Sequence, residues 1–180
     1  MFSPSLTSIS AHGLVDRIAQ LGDDLTGCEL GVCRGRNLRF LLDRVPNIKT
    51  VYAIDPWEPY DDWWGRMDRD TVESWMREAI ELLKDYDDKI TVLRAKSSVA
   101  LNYIDDDTLD YIFIDGDHSY ESTKFDLANS FKKIKSKGLF SGHDWQLESV
   151  QQAVNEFRKE NSITAELQFT ENNVWFWYKD

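Results

Sequence analysis

Two short stretches of this chain concentrate side chains able to hold a cation and move a proton. One is Phe113-Ile114-Asp115-Gly116-Asp117-His118-Ser119-Tyr120-Glu121; the other is Ser141-Gly142-His143-Asp144-Trp145. Each begins in an apolar run of strand type and ends in acids and an imidazole. Sequential strands at such positions commonly lie side by side, so Asp115 and the pair His143-Asp144 are expected to converge at one edge. Two carboxylates and an imidazole, with waters, suit an octahedral shell for Mg²⁺ or another hard divalent ion. The same residues also read as a pair of solvated strand ends. His118 belongs to the residue type that accepts a proton near neutral pH, and it equally suits the cap of a following helix.

A third stretch, Glu29-Leu30-Gly31-Val32-Cys33-Arg34-Gly35, offers backbone instead. Glycines after a strand let the chain turn sharply and approach a ligand at the start of the next helix. The dinucleotide fingerprint needs G-x-G-x-x-G, and from Gly31 this sequence has Cys33 and Arg36 where the other glycines belong. Asp55 ends the run Val51-Tyr52-Ala53-Ile54, where a carboxylate can accept both hydroxyls of a ribose. Trp57 follows, either as a cover for the base or as a rim aromatic.

These residues need elements to hold them. Apolar runs of strand length at 27–32, 50–54, 90–94, 110–114, 138–141, 164–169 and 173–178 alternate with helix-period segments at 14–21, 37–44, 69–84, 97–103, 120–134 and 147–159. In 120–134, Phe125, Leu127, Ala128 and Phe131 are read as the apolar stripe. Such alternation requires a parallel sheet covered by helices on both faces. The turn at 170–172 is too short for a parallel crossover, so the C-terminal strand is antiparallel. The expected fold is one α/β domain over 1–180, a doubly wound, Rossmann-like, mostly parallel seven-stranded sheet. The segment 56–70, with Trp57, Tyr60, Trp63 and Trp64 among acids, is expected to form a lid loop at the carboxyl edge.

The 180 residues carry 21 Lys and Arg against 32 Asp and Glu, a formal net charge of -11. That sign disfavours nucleic acid and anionic membranes as partners. Cys28 and Cys33, the two cysteines, read as reduced, buried thiols. With neither a signal-like start nor a long apolar run, a cytoplasmic protein is expected.

The F-I-D-G-D-H-S-Y-E element, the G-H-D-W element and the run Val150-Gln151-Gln152-Ala153-Val154-Asn155-Glu156-Phe157 together resemble one branch of the class I methyltransferases. That branch consists of small stand-alone domains related to macrolide-sugar O-methyltransferases and cephalosporin hydroxylase-like proteins. The resemblance spans roughly 27–157, and Glu29, Gly31 and Gly35 look like its motif I. It implies S-adenosylmethionine as cofactor, held by Glu29, Gly31, Gly35, Asp55, Trp57, Ser97 and Asp115. It further implies a divalent metal, Mg²⁺ in that family, on Asp115, His143 and Asp144, with His118 and Asp115 catalytic and His118 as general base. His143 stands where the family has a carboxylate, and Lys96-Ser97 where it often has an acid near the adenine amine. The implied acceptor is a small hydroxylated molecule, its pocket completed by the Trp-rich loop or by a neighbouring subunit of a homo-oligomer. Two other functions remain open on the residues: a metal-dependent hydroxylase of the cephalosporin type, though the spacing of a 2-His-1-carboxylate site is missing, and a non-catalytic cofactor-binding protein.

Overall fold

Neighbouring residues of the central strands point to opposite sides, and both sides are apolar. A computed structural model describes residues 10–62 and 65–180. A 3₁₀ turn (Ser10–Leu14) enters α1 (Val15–Ala19), then β1 (Leu25–Leu30), α2 (Arg36–Arg44) and β2 (Ile48–Ile54). The next elements are β3 (Tyr60–Asp62), β4 (Gly65–Met67), α3 (Arg69–Leu83), β5 (Ile90–Leu93) and α4 (Ser97–Ala100). The chain closes with β6 (Leu109–Ile114), α5 (Tyr120–Phe131), β7 (Ile134–Gly142), α6 (Glu148–Glu160), β8 (Gln168–Thr170) and β9 (Val174–Tyr178).

Seven strands form one sheet in the order β5-β2-β1-β6-β7-β9-β8. The first five are mutually parallel, and β9 runs antiparallel to both β7 and β8. One side buries Val51, Ala53, Tyr111, Phe113 and Phe176 against α1, α2 and α3. The other buries Cys28, Ile112, Phe140, Trp175 and Trp177 against α4, α5 and α6. Each large side chain removed from water contributes roughly 1.5–3 kcal/mol before entropy is charged against it. The doubly wound sheet is therefore as expected. No helix among the described residues is long and apolar enough to cross a membrane.

Several boundaries differ from the expectation, for local reasons. β7 starts at Ile134 rather than 138, because Ile134 pairs with Leu109 before a register shift. Lys137, at φ 65°, lies in the polar run that hides the strand's continuity. α5 accordingly stops at Phe131, and β8 is shorter than 164–169. The buried residues of α5 are Thr123, Asp126, Leu127 and Ser130, while Phe125 is exposed. Leu127 is buried and Phe131 packs on Phe140 and Phe157 as expected, whereas Phe125 and Ala128 are exposed and Thr123, Asp126 and Ser130 complete the inward stripe. In 56–70 the chain makes an antiparallel hairpin, β3 with β4, in place of a plain loop. Trp63 and Trp64 lie outside the described residues.

Candidate active site

The ligand-binding edge of an open α/β sheet lies at the carboxyl ends of its strands, where the order reverses. Here the reversal falls between β1 and β6, and their ends carry the turn at 31–35 and Asp115. Gly31, at φ 86°, donates its N–H to Ile54 O at 2.9 Å. A Cβ built on it would stand 1.9 Å from the Asp115 carbonyl oxygen. Only glycine lets the two strand ends meet this closely. Gly35, at φ 74°, is the left-handed N-cap of α2, packed over Ala79 and Leu83 of α3.

Asp55 closes the turn from the side. Its Oδ2 accepts from the Cys33 backbone N–H at 2.8 Å and its Oδ1 from Trp57 N–H at 2.7 Å. Burial raises its pKa, and those backbone donors offset part of the shift. Trp57 departs from both expected roles. It is 3% exposed in the core cluster with α2 and α3, and its Nε1–H donates to Cys33 O at 2.8 Å. The ring braces the turn from beneath, so it has no free face to lay on an adenine. Cys33 departs as well: it is free as expected but exposed, at φ 51° in the turn.

Glu29 is 1% exposed, and Asn37 Nδ2 donates to its Oε2 at 3.3 Å. Its Oε1 is buried and has no hydrogen-bond partner among the described residues. Burial, then the Asp115 charge, holds its pKa well above the usual carboxylate range. Ser97 begins α4, and its side chain lies close enough to Asp126 of α5 to favour that acid's charged form. Asp126 is 5% exposed, and burial pushes it up to about 6, with the Asp117 charge adding and Ser97 opposing. Motif reading missed this acid. Nothing in the sequence signals it, because the exposed Phe125 beside it carries the apolar pattern.

The second cluster assembles from the ends of β6 and β7. His143 Nδ1 lies 3.3 Å from Asp115 Oδ1 and 3.1 Å from Asp144 Oδ2. His118 Nε2 lies 2.6 Å from Asp144 Oδ2 and 3.8 Å from Asp115 Oδ1. Despite the short approach, that buried nitrogen makes no well-directed hydrogen bond among the described residues. One donor atom each from Asp115, His118 and Asp144 falls within 4.8 Å of the others, a group compact enough for one ion. Burial works against charge on both imidazoles, but the carboxylates of Asp115 and Asp144 outweigh it and push both up to about 10. The same pairing holds Asp144 well below the usual carboxylate range against the opposing effect of burial.

The scaffold fixes these groups from behind. The His143 N–H donates to Ile114 O at 2.9 Å, and Trp175 Nε1–H donates to His143 O at 2.9 Å. Asp144 sits at φ 57°, and Gln146 Nε2 donates to its Oδ1 at 2.7 Å, leaving Oδ2 for the imidazoles. Ser149 Oγ, in α6, donates to His118 O at 2.7 Å. Cys33, Trp57 and Asp144, three non-glycine residues at positive φ, all stand at this edge, strain of the kind that functional sites retain.

A family model described as "Methyltransferase domain" matches residues 28–145. Among solved structures, the O-methyltransferase NovP is 24% identical at TM-score 0.68, over 92% of this chain and 78% of that one. A SAM-dependent methyltransferase from Aquifex aeolicus is 18% identical at TM-score 0.64, over 98% and 92%. A precorrin-6y C5,15-methyltransferase from Geobacter metallireducens is 17% identical at TM-score 0.62, over 91% and 84%. At these identities the structural likeness establishes the fold. No curated protein matches the sequence.

Proposed function

The chain belongs to the methyltransferase-domain family, and on that premise we propose that it transfers the methyl group of S-adenosylmethionine to a hydroxyl of a small molecule, with a divalent cation beside the acceptor. The observation that carries this reading is the juxtaposition at Gly31. There the cofactor turn lies directly against Asp115, whose carboxylate faces His118 and His143.

S-adenosylmethionine supplies a methyl group already activated on a sulfonium, so the protein's task is alignment and proton removal. Gly31 and Gly35 keep the turn open. Asp55, with two backbone donors fixing its plane, accepts from the ribose hydroxyls. Glu29 offers the unpaired Oε1 to the cationic amino group of the methionyl end, which would remove the cost of an orphaned buried oxygen. Ser97 and Asp126 take the place of the missing acid at the adenine.

Asp115, Asp144 and His143 fit a cation, since their donor atoms already converge with a buried, unsatisfied nitrogen beside them. A cation there supplies Lewis acidity that lowers the pKa of an acceptor hydroxyl. His118, whose side chain is 41% exposed against 20% for His143, is the imidazole an acceptor can approach; Asp115 and Asp144 keep it protonated in the ion-free chain, and with those carboxylates holding a cation its Nε2 would be free to take the proton. The β3–β4 hairpin follows Asp55 in the chain and would serve as the lid over the acceptor.

Methyl-labelled S-adenosylmethionine, offered with phenols and sugars in the presence and absence of chelator, tests the reading. Label should appear in the acceptor, and chelator should suppress it. Oxidised product that depends on dioxygen and not on S-adenosylmethionine would establish a hydroxylase instead. Saturable cofactor binding without transfer to any acceptor would leave a binding protein.

A further inference from the structure

Two imidazoles beside two carboxylates do not make an all-oxygen site. Around an ion with bonds of about 2.1 Å, ligands at right angles stand about 3 Å apart. His143 Nδ1 already has that spacing, at 3.3 Å from Asp115 Oδ1 and 3.1 Å from Asp144 Oδ2. The nitrogen is also presented by a rigid frame. The backbone of His143 is held on both sides, by Ile114 O and by the indole of Trp175. The Asp144 carboxylate is oriented by Gln146 through its other oxygen. Such outer contacts are what fix a ligand's direction in metal centres. A second sign is that His118 Nε2 converges on the same oxygens, 2.6 Å from Asp144 Oδ2 and 3.8 Å from Asp115 Oδ1, so that donor atoms from Asp115, His118 and Asp144 surround one space.

Mg²⁺ favours oxygen donors and keeps much of its water, whereas imidazole nitrogen favours first-row transition ions. We propose that this cluster selects a divalent transition ion over Mg²⁺, and that His143 Nδ1 is the selecting ligand. The proposal rests on the cation-assisted reading above and adds to it the kind of ion.

The test uses the full chain, stripped of metal and supplied with S-adenosylmethionine. Calorimetric titrations with CoCl₂ and with MgCl₂ should show Co²⁺ binding at least about tenfold more tightly. His143→Asp, which restores a carboxylate, should lower that preference by about tenfold or more. Electron spin-echo modulation of bound Mn²⁺ in the parent chain should show coupling to an imidazole ¹⁴N, a reading that does not depend on the variant's folding. Equal affinities for the two ions, or bound Mn²⁺ without ¹⁴N coupling, would overturn the selection while leaving cation-assisted methyl transfer intact. No binding of any of these ions would overturn both and leave the cluster as two Asp–His ion pairs.

Discussion

His118 stands where two roles overlap. Its Nε2 points into the volume shared by Asp115 and Asp144, which suits a ligand and also suits a base waiting for an oxygen held there. The roles separate on removal. As the base, His118→Ala should lower the methyl-transfer rate by roughly 10² or more while S-adenosylmethionine and Co²⁺ affinities barely change. Single-turnover kinetics with parallel titrations would read this, and loss of the ion together with the rate would make His118 a ligand instead. Gly31 has a sharper constraint. Alanine there would put its Cβ 1.9 Å from a backbone oxygen at φ 86°, with no flexible side chain to give way. Gly31→Ala should cost about 2 kcal/mol or more in chemical denaturation and weaken ion binding, because the backbone that must move belongs to Asp115. A variant with unchanged stability and unchanged ion affinity would break the proposed coupling between turn and cluster.

Among the elements, the cofactor turn is held as much by the start of the hairpin segment as by its own glycines. Trp57→Phe keeps most of the ring but loses the bond to Cys33 O, a change of about 1 kcal/mol. It should weaken S-adenosylmethionine binding several-fold in calorimetry and leave Co²⁺ binding unaltered; equal loss of both would mean general unfolding of the edge. This indole also marks the limit of what the residues disclosed on their own. Strands β1, β2 and β6 were legible because their apolar runs admit no solvated face, and Asp115 and His118 share one such strand end. The meeting of Asp115 with His143 and Asp144 followed from strand adjacency. Trp57 was not legible, because Pro56 and Glu58 surround it with the composition of a surface loop while its burial comes from packing on α2 and α3 and the bond to Cys33 O. Asp126 was hidden for the converse reason. The exposed Phe125 beside it gave the stronger apolar signal, and only the position of α4 against α5 shows which stripe faces inward.

At the scale of the whole molecule, the sheet divides its titrating groups by pH, which makes the buried acid measurable. Asp126 holds its proton up to about pH 6 in the folded chain, against about 3.9 for an unperturbed aspartate. Between those values the native state binds a proton that the unfolded chain has released, so stability falls as pH rises through the window and is flat above it. His118 and His143 act elsewhere. Raised to about 10, they contribute stability that is full below about pH 6.5 and is lost as pH climbs through 10 in the ion-free chain. Glu29 is also raised and changes stability in the same sense as Asp126, so the informative quantity is the difference between parent and variant. Asp126→Asn keeps the shape and a partner for Ser97 but removes the titration. Urea unfolding of both proteins from pH 5 to pH 8, above the sequence pI of 4.7 and the loss of solubility expected there, should show the variant gaining on the parent by roughly 1–1.5 kcal/mol and then levelling. Curves that remain parallel across that range would mean that Asp126 carries its charge in the folded state at every pH, with its burial satisfied by Ser97 alone.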